Sequence, residues 1–250
     1  MLGKNRHSGK SRADRYLLES GKAASRAQAR AAIEAGKVRA DGIAVEKPAQ
    51  LLRKGTQIEF EPAHPYVSRG ALKLVAALDR FHLSPEKRVC LDLGAATGGF
   101  TQVLLERGAT RVYAVDVGHG QLHASLKSDR RVLALEGVNA RNLSHREIRE
   151  PVDAIAADVS FIGLKLVLAP ALKFASADAW LVALVKPQYE VGPRLIGKGG
   201  IVRDIAARER AVIAVSDWLG ARRWSVQGRC DSPITGGSGN QEYLIAARRE

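Results

Sequence analysis

Leu91-Asp92-Leu93-Gly94-Ala95-Ala96-Thr97-Gly98-Gly99-Phe100-Thr101 decides how this chain is read. The apolar, β-prone run 89–93 precedes the glycines. A helical pattern, residues 100–106, follows them and ends at Gly108. Strand, glycine loop and helix in that order put unpaired backbone N–H groups at a helix start, and glycines let the backbone come close to a ligand. A second strand, residues 111–115, ends in Asp116. That is about 20 positions beyond the glycines, where an acidic residue holds a ribose hydroxyl in nucleotide-binding sheets. The stretch predicts a nucleoside-cofactor site at the carboxyl edge of a parallel sheet.

The loop is not a clean G-x-G-x-x-G, which argues against a dinucleotide. Asp92 inside the turn would repel a pyrophosphate, whereas it suits a ligand carrying an ammonium or sulfonium group. S-adenosyl-L-methionine is therefore the expected cofactor. Its expected contacts are Asp92, Gly94, Ala95, Thr97, Gly98, Gly99, Phe100 and Asp116. The competing reading, a glycine-rich turn needed only for packing, leaves the spacing to Asp116 unexplained.

Strand and helix patterns alternate through the rest of the chain, which predicts an α/β fold: a Rossmann-like parallel sheet with helices on both faces. After Asp116 a loop, residues 117–122, enters a helix. The third strand, 132–135, is followed by Gly137-Val138-Asn139-Ala140-Arg141, the edge where an adenine would lie, with Asn139 as a contact. The fourth strand, 152–157, ends at Asp158, a further expected cofactor contact, and the fifth, 180–185, ends at Lys186. Charges directly after apolar strands are hard to explain by packing, since unpaired charge is costly there. The last strands are 224–229 and 243–247, and Glu242 opens the final one. The glycine-rich basic segment 197–204 lacks a Walker spacing and reads as a mobile loop near the substrate, ahead of a helix at 205–219.

The first quarter of the chain has a different character. Residues 1–12 carry Lys4, Arg6, Lys10 and Arg12 with no acid and read as a flexible basic tail. A helix is expected over 13–20. A second follows Ser25, an N-cap with Gln28 three positions on, and ends at Gly36. Short apolar runs flank Asp41-Gly42, a hairpin signal, and 57–60 reads as a further strand. Residues 1–66 hold 13 Lys plus Arg against 7 Asp plus Glu. Lys22, Arg26, Arg30, Lys37 and Arg39 are the expected phosphate-contacting face, against the plainer reading of a solvated surface. Glu61-Pro62-Ala63-His64-Pro65 breaks the pattern as a linker, so the expected division is 1–61, a linker at 62–66, and 67–250. A helix at 71–81 follows, with Lys73 in its first turn; a lysine there is by default solvated.

Composition agrees with a nucleic-acid partner. The chain has 250 residues, 46% of them hydrophobic, and a net charge of +13, so it can bury a core and favours a polyanion. Two cysteines, Cys90 and Cys230, argue against a disulfide scaffold and for a reducing, cytoplasmic setting. Neither has a metal-ligand spacing, and no metal is expected. The basic N-terminus lacks the apolar run of a signal peptide. The most apolar region, 164–185, is interrupted by Lys165, Lys173 and Asp178, which argues against membrane insertion.

Two resemblances join these observations. Arg12 to Leu17, Ala24 to Arg30 and Gly36 to Gly42 resemble the small RNA-binding fold named after ribosomal protein S-four. Lys73, Asp158, Lys186 and Glu242 resemble the Lys-Asp-Lys-Glu tetrad of FtsJ-like ribose 2′-O-methyltransferases. The two modules together resemble the TlyA family of hemolysin-like rRNA methyltransferases. The carrying segments are Val67 to Leu74, Leu91 to Thr101, Asp158-Val159-Ser160-Phe161-Ile162, Leu184 to Gln188 and Gly197 to Asp204. Val138 stands where the family's pattern has Thr. The resemblance implies 2′-O-methylation of cytidine in ribosomal RNA, free or in ribosomal subunits. Lys186 would deprotonate the attacking hydroxyl or stabilise it electrostatically. Asp158 would orient Lys186, while Lys73 and Glu242 tune its protonation and hold the ribose. The residues argue against other acceptors: Asp158-Val159-Ser160-Phe161 lacks the prolines of amino-methyltransferases, and neither cysteine is placed to attack a base carbon. A pore-forming hemolysin and an NAD-dependent oxidoreductase are the alternatives.

Overall fold

The computed structural model describes residues 9–23 and 25–250, and the chain divides into two compact units, Met1–Arg69 and Gly70–Glu250. Lys4 and Arg6 of the expected tail lie outside the described residues.

In the first unit, β1 (Lys10–Arg12) leads into α1 (Ala13–Glu19), and α2 (Arg26–Glu34) follows. Ser25 caps α2 as expected, its Oγ accepting the Gln28 N–H at 3.1 Å. Ala29, Ala32 and Ile33 of α2 pack with Ala13 and Leu17 of α1 in a small core. β2 (Val38–Ala40) and β3 (Ile43–Ala44) pair across Asp41-Gly42, whose φ values of 51° and 78° match the positive pair a type I′ turn requires. β4 (Leu51–Arg53) comes next, and β5 (Ile58–Phe60) returns to pair with β2. Residues 10–12 correct the reading of a free tail. They form β1, antiparallel to β4, with Lys10 opposite Arg53 and Arg12 opposite Leu51. The ladder satisfies backbone groups of β4, which has no other strand partner among the described residues. It also brings the Arg12 guanidinium to the buried Asp14, 3.1 Å away. A Lys-Ser-Arg tripeptide has no apolar alternation by which a strand could be read.

The second unit begins with α3 (Ala71–Arg80), β6 (Val89–Leu93), α4 (Gly99–Glu106), β7 (Arg111–Asp116), α5 (Ala124–Lys127) and β8 (Val132–Glu136). It continues through β9 (Val152–Ala157), α6 (Leu164–Ala171), β10 (Ala175–Val185) and α7 (Pro187–Glu190), then α8 (Ile205–Gly220), β11 (Trp224–Asp231) and β12 (Tyr243–Arg249). The seven strands lie in the order β11-β12-β10-β9-β6-β7-β8. β6 to β10 are parallel; β12 runs against β10, and β11 against β12. β9 and β10 are near-continuous apolar runs because both sheet faces are covered: Ile155, Leu181, Val182 and Leu184 are all buried. β10 starts at Ala175, before the apolar run at Trp180, and its pairing with β9 shifts register between those two residues. The polar stretch between them hides this start from a reading by hydrophobicity.

From β6 the chain steps outward to β7 and β8, then crosses back to β9 on the other side of β6. Open α/β sheets bind ligands where the direction reverses, outside the carboxyl ends of the strands. Here that point lies between β6 and β9.

Candidate active site

Gly94 and Asp158, the residues that follow β6 and β9, close this point. The Asp158 N–H donates to the Leu93 carbonyl at 2.9 Å. A Cβ on Gly94, whose φ is +83°, would stand 2.4 Å from the Asp158 carbonyl oxygen. Only glycine lets the strand ends approach this closely. Gly98 is likewise pressed on Leu126. At both positions the glycine answers to packing as well as to any ligand.

A groove of about 390 Å³ opens over these ends, a volume in the range of small-molecule sites. Of the expected cofactor contacts, Gly94, Asp116, Asn139 and Asp158 line it. Ala95, Gly98, Gly99 and Phe100 are buried in the loop and the start of α4, Thr97 is half-buried, and none of the five lines the groove. Asp116 is held firmly: Oδ2 accepts the Ala96 N–H at 2.8 Å and Oδ1 the Gly118 N–H at 2.7 Å. Each oxygen keeps a further lone pair for a hydroxyl. Val138, Val159, Ile162 and Val167 supply an apolar wall.

Asp92 lies within β6, not in the turn where the sequence reading put it. It is fully buried and does not line the groove. Its Oδ2 accepts the Thr101 hydroxyl of α4 at 2.6 Å, and Oδ1 has no partner. Burial pushes its carboxyl up to about 7; the Thr101 hydrogen bond opposes this, and the charges of Asp158 and Asp116 add to it. Alternation along β6 explains the placement: Leu91 and Leu93 enter the large core, so Asp92 must face the other side.

The four expected catalytic side chains meet. Lys73 Nζ lies 2.6 Å from Glu242 Oε2 and 3.7 Å from Asp158 Oδ2. Lys186 Nζ lies 2.6 Å from Asp158 Oδ1 in an ionic contact and donates to Ser160 Oγ at 2.7 Å. Two ammonium and two carboxylate groups thus alternate in a row. Lys73, Lys186 and Glu242 are 7%, 8% and 2% exposed, so Lys73 is not the solvated surface lysine its helix position suggests. Asp158 is more open and also borders the groove, so the row ends where the groove begins.

Comparison with known proteins gives the family. Residues 66–249 match the FtsJ-like methyltransferase family, and residues 11–58 match the S4 domain. A Mycobacterium tuberculosis protein named 16S/23S rRNA (cytidine-2′-O)-methyltransferase TlyA is 46% identical over 96% of this chain and 91% of its own. The chain belongs to the TlyA family of FtsJ-like methyltransferases. Another relative, named Hemolysin A, from Brachyspira hyodysenteriae, is 38% identical over 93% of this chain and 98% of its own. A solved Streptococcus thermophilus structure with a provisional hemolysin name has 39% identity and a TM-score of 0.77, covering 97% of this chain and 89% of that one. Among the described residues of this TlyA-family chain, no helix is long and apolar enough to cross a membrane.

Two site residues escape a sequence reading. Ser160, which accepts from Lys186, looks like an ordinary loop serine; its signals are its place two residues after Asp158 and within a segment that carries the family resemblance, and neither assigns it a role. Phe161 is 89% exposed at the groove, at φ 63°, with its ring 5.3 Å from that of Tyr189. Positive φ is a genuine outlier for so bulky a residue.

The five expected RNA contacts all lie in the first unit, but they are not equally free. Lys22 and Arg30 are exposed. Arg26 is held at 2.8 Å by Asp14, Lys37 pairs with Glu61, and Arg39 donates to the Gly42 carbonyl.

Proposed function

We propose that this chain transfers a methyl group from S-adenosyl-L-methionine to the 2′-hydroxyl of a ribose, that of cytidine, in ribosomal RNA. The observation that carries this reading is the closed row Glu242–Lys73–Asp158–Lys186 at the end of the groove. The groove suits the cofactor: Asp116 is fixed to receive ribose hydroxyls, the apolar wall with Asn139 suits an adenine, and Gly94 and Asp158 border the end nearest the lysines. When bound, the cofactor supplies a methyl already activated on a sulfonium.

The chain must then hold the acceptor oxygen in line and manage its proton. Positioning of this kind is worth up to about 7–11 kcal/mol. Lys186 is the group for the acceptor oxygen, as a base or as an ammonium that steadies the alkoxide. Asp158 and Ser160 fix its Nζ from two sides. Lys73, pinned by Glu242, fixes the other oxygen of Asp158. In their usual ionised forms the four charges cancel, so the row can stay buried without a counterion. The first unit, through Lys22, Arg26, Arg30, Lys37 and Arg39, brings the RNA backbone to the enzyme.

The deciding experiment replaces the target nucleotide by its 2′-deoxy analogue in an otherwise intact ribosomal RNA. Methyl transfer should vanish. Continued transfer, now to the base, would overturn the oxygen-directed reading.

A further inference from the structure

We infer that Asn240 is a positioning residue for methyl transfer: it latches the glycine-rich basic loop 197–203 to the turn that carries Glu242, and so fixes the Glu242 carboxylate against Lys73. The inference rests on the tetrad reading above.

Asn240 sits between β11 and β12, yet it is only 2% exposed. A buried loop asparagine must have its amide satisfied, and here both ends are used across the gap between two loops. Oδ1 accepts the Val202 N–H at 3.0 Å, and Nδ2 donates to the Gly200 carbonyl at 2.8 Å. One side chain thereby does what a short strand ladder would do. An amide suits the task because it donates and accepts at once; a carboxylate would face the Gly200 carbonyl with no proton to give. The loop is also closed on itself, Gly197 N–H to Ile201 carbonyl at 2.9 Å and Gly200 N–H to Gly197 carbonyl at 3.0 Å. The segment expected to be mobile is therefore fastened, with Lys198 and Arg203 left exposed on it.

The other side of the latch is the tetrad. The Asn240 backbone carbonyl accepts the Gly236 N–H at 2.9 Å, which shapes the turn. A Cβ on Gly236 would stand 2.4 Å from Glu242 Oε1. The turn is thus packed directly on the carboxylate whose other oxygen holds Lys73 at 2.6 Å. Releasing Asn240 frees the basic loop and the wall behind Glu242 together. Lys73 then loses its fixed partner, and Asp158 loses the fixed ammonium 3.7 Å away.

The test uses the full-length protein with Asn240→Ala, Asn240→Asp and Gly236→Ala, and with Glu242→Gln alone and combined with Asn240→Ala. Circular dichroism checks the fold, calorimetry the affinity for S-adenosyl-L-methionine, and single-turnover assays the rate with ribosomal RNA. The rate should fall on the order of tenfold to a hundredfold, the cost of small misplacement, while cofactor affinity is largely retained. In the Glu242→Gln background, Asn240→Ala should cost little more, because both changes disable one carboxylate. If Asn240→Ala does not fold, Asn240→Asp and Gly236→Ala carry the same comparison. Folded variants with full rates overturn the inference, as does a loss that is equal in both backgrounds. A normal rate for Glu242→Gln itself sinks the tetrad reading and this inference with it. An impaired Glu242→Gln beside normal Asn240 and Gly236 variants sinks the inference alone.

Discussion

Lys73 and Glu242, 169 positions apart in sequence, stand 2.6 Å apart at Nζ and Oε2, both almost out of reach of water. The contact ties the first turn of α3 to the start of β12, and through Asp158 it continues to Lys186. On the proposed function, stability and catalysis draw on the same four side chains, and the two can be separated by experiment.

Removing one partner strands the other. Glu242→Leu leaves a buried ammonium with only the more distant Asp158, and a broken buried pair costs about 3–5 kcal/mol. Lys73→Met strands Glu242 in the same way. The double variant Lys73→Met/Glu242→Leu should recover much of the stability, because it replaces a charge pair by apolar volume. It should recover no methyl transfer. Denaturant unfolding and a methylation assay on the three proteins check this, and regained activity in the double variant would show that the pair is only structural.

Asp92 makes a separate prediction about pH. An unfolded carboxyl titrates near ~3.9, whereas this one is raised to about 7 in the fold. Between those values the folded chain keeps a proton that the unfolded chain has released, so stability falls as pH rises through that window. The penalty is absent below the lower value and complete above the upper one. Asp92→Asn should abolish it, since an amide oxygen can still accept from Thr101. Relative to the unmodified protein, the variant should gain a few kcal/mol at pH 8 and little at pH 4, because each tenfold change in a proton-binding equilibrium is worth ~1.4 kcal/mol. Equal unfolding curves at pH 8 would contradict the buried, proton-holding carboxyl.

Much of this arrangement is legible in the sequence, for physical reasons. Parallel strands covered on both faces read as apolar runs, and a charge directly after such a run, as at Asp158 and Lys186, has few explanations besides a site. Asn240 and Ser160 are illegible because their residue types are the commonest furniture of turns, and only the partner they reach distinguishes them. β1 is illegible because its pairing depends on β4, about forty positions on, and its own residues carry no alternation. Asp92 is within reach of such reasoning: period-two alternation with Leu91 and Leu93 already turns it toward α4.

In the RNA-binding unit, Arg26 and Arg30 should behave differently although they share one helix. Arg30 is exposed, so Arg30→Ala should weaken binding to every RNA alike and reduce the slope of log K against log salt by about 1. Arg26 holds Asp14, which is fully buried and kept near 2 by Arg12, with Arg26 assisting against the cost of burial. Arg26→Ala should therefore lower the thermal midpoint as well as the RNA affinity. Salt-titrated binding and thermal unfolding of both variants test this, and an unchanged slope for Arg30→Ala would remove it from the proposed phosphate-contacting face.

The row ends at Lys186, and its surroundings set what each substitution there should do. Its Nζ is fixed by Asp158 Oδ1 at 2.6 Å and Ser160 Oγ at 2.7 Å, in a site with little room. Lys186→Ala removes the group proposed to face the acceptor oxygen, and transfer should be abolished with fold and cofactor affinity retained. Lys186→Arg should fail too, because a guanidinium is planar, larger and does not give up its proton. Ser160→Ala keeps the lysine and the ionic contact but deletes one hydrogen bond to a charged group, worth about 1.5–3 kcal/mol, so it should slow transfer by roughly ten- to a hundredfold. Single-turnover rates with saturating cofactor rank the three. The expected order is Ser160→Ala impaired, with both Lys186 variants far below it. Near-normal turnover by Lys186→Arg would exclude proton removal by this residue and leave only the stabilisation of a developing alkoxide, a role that a fixed positive charge can still perform.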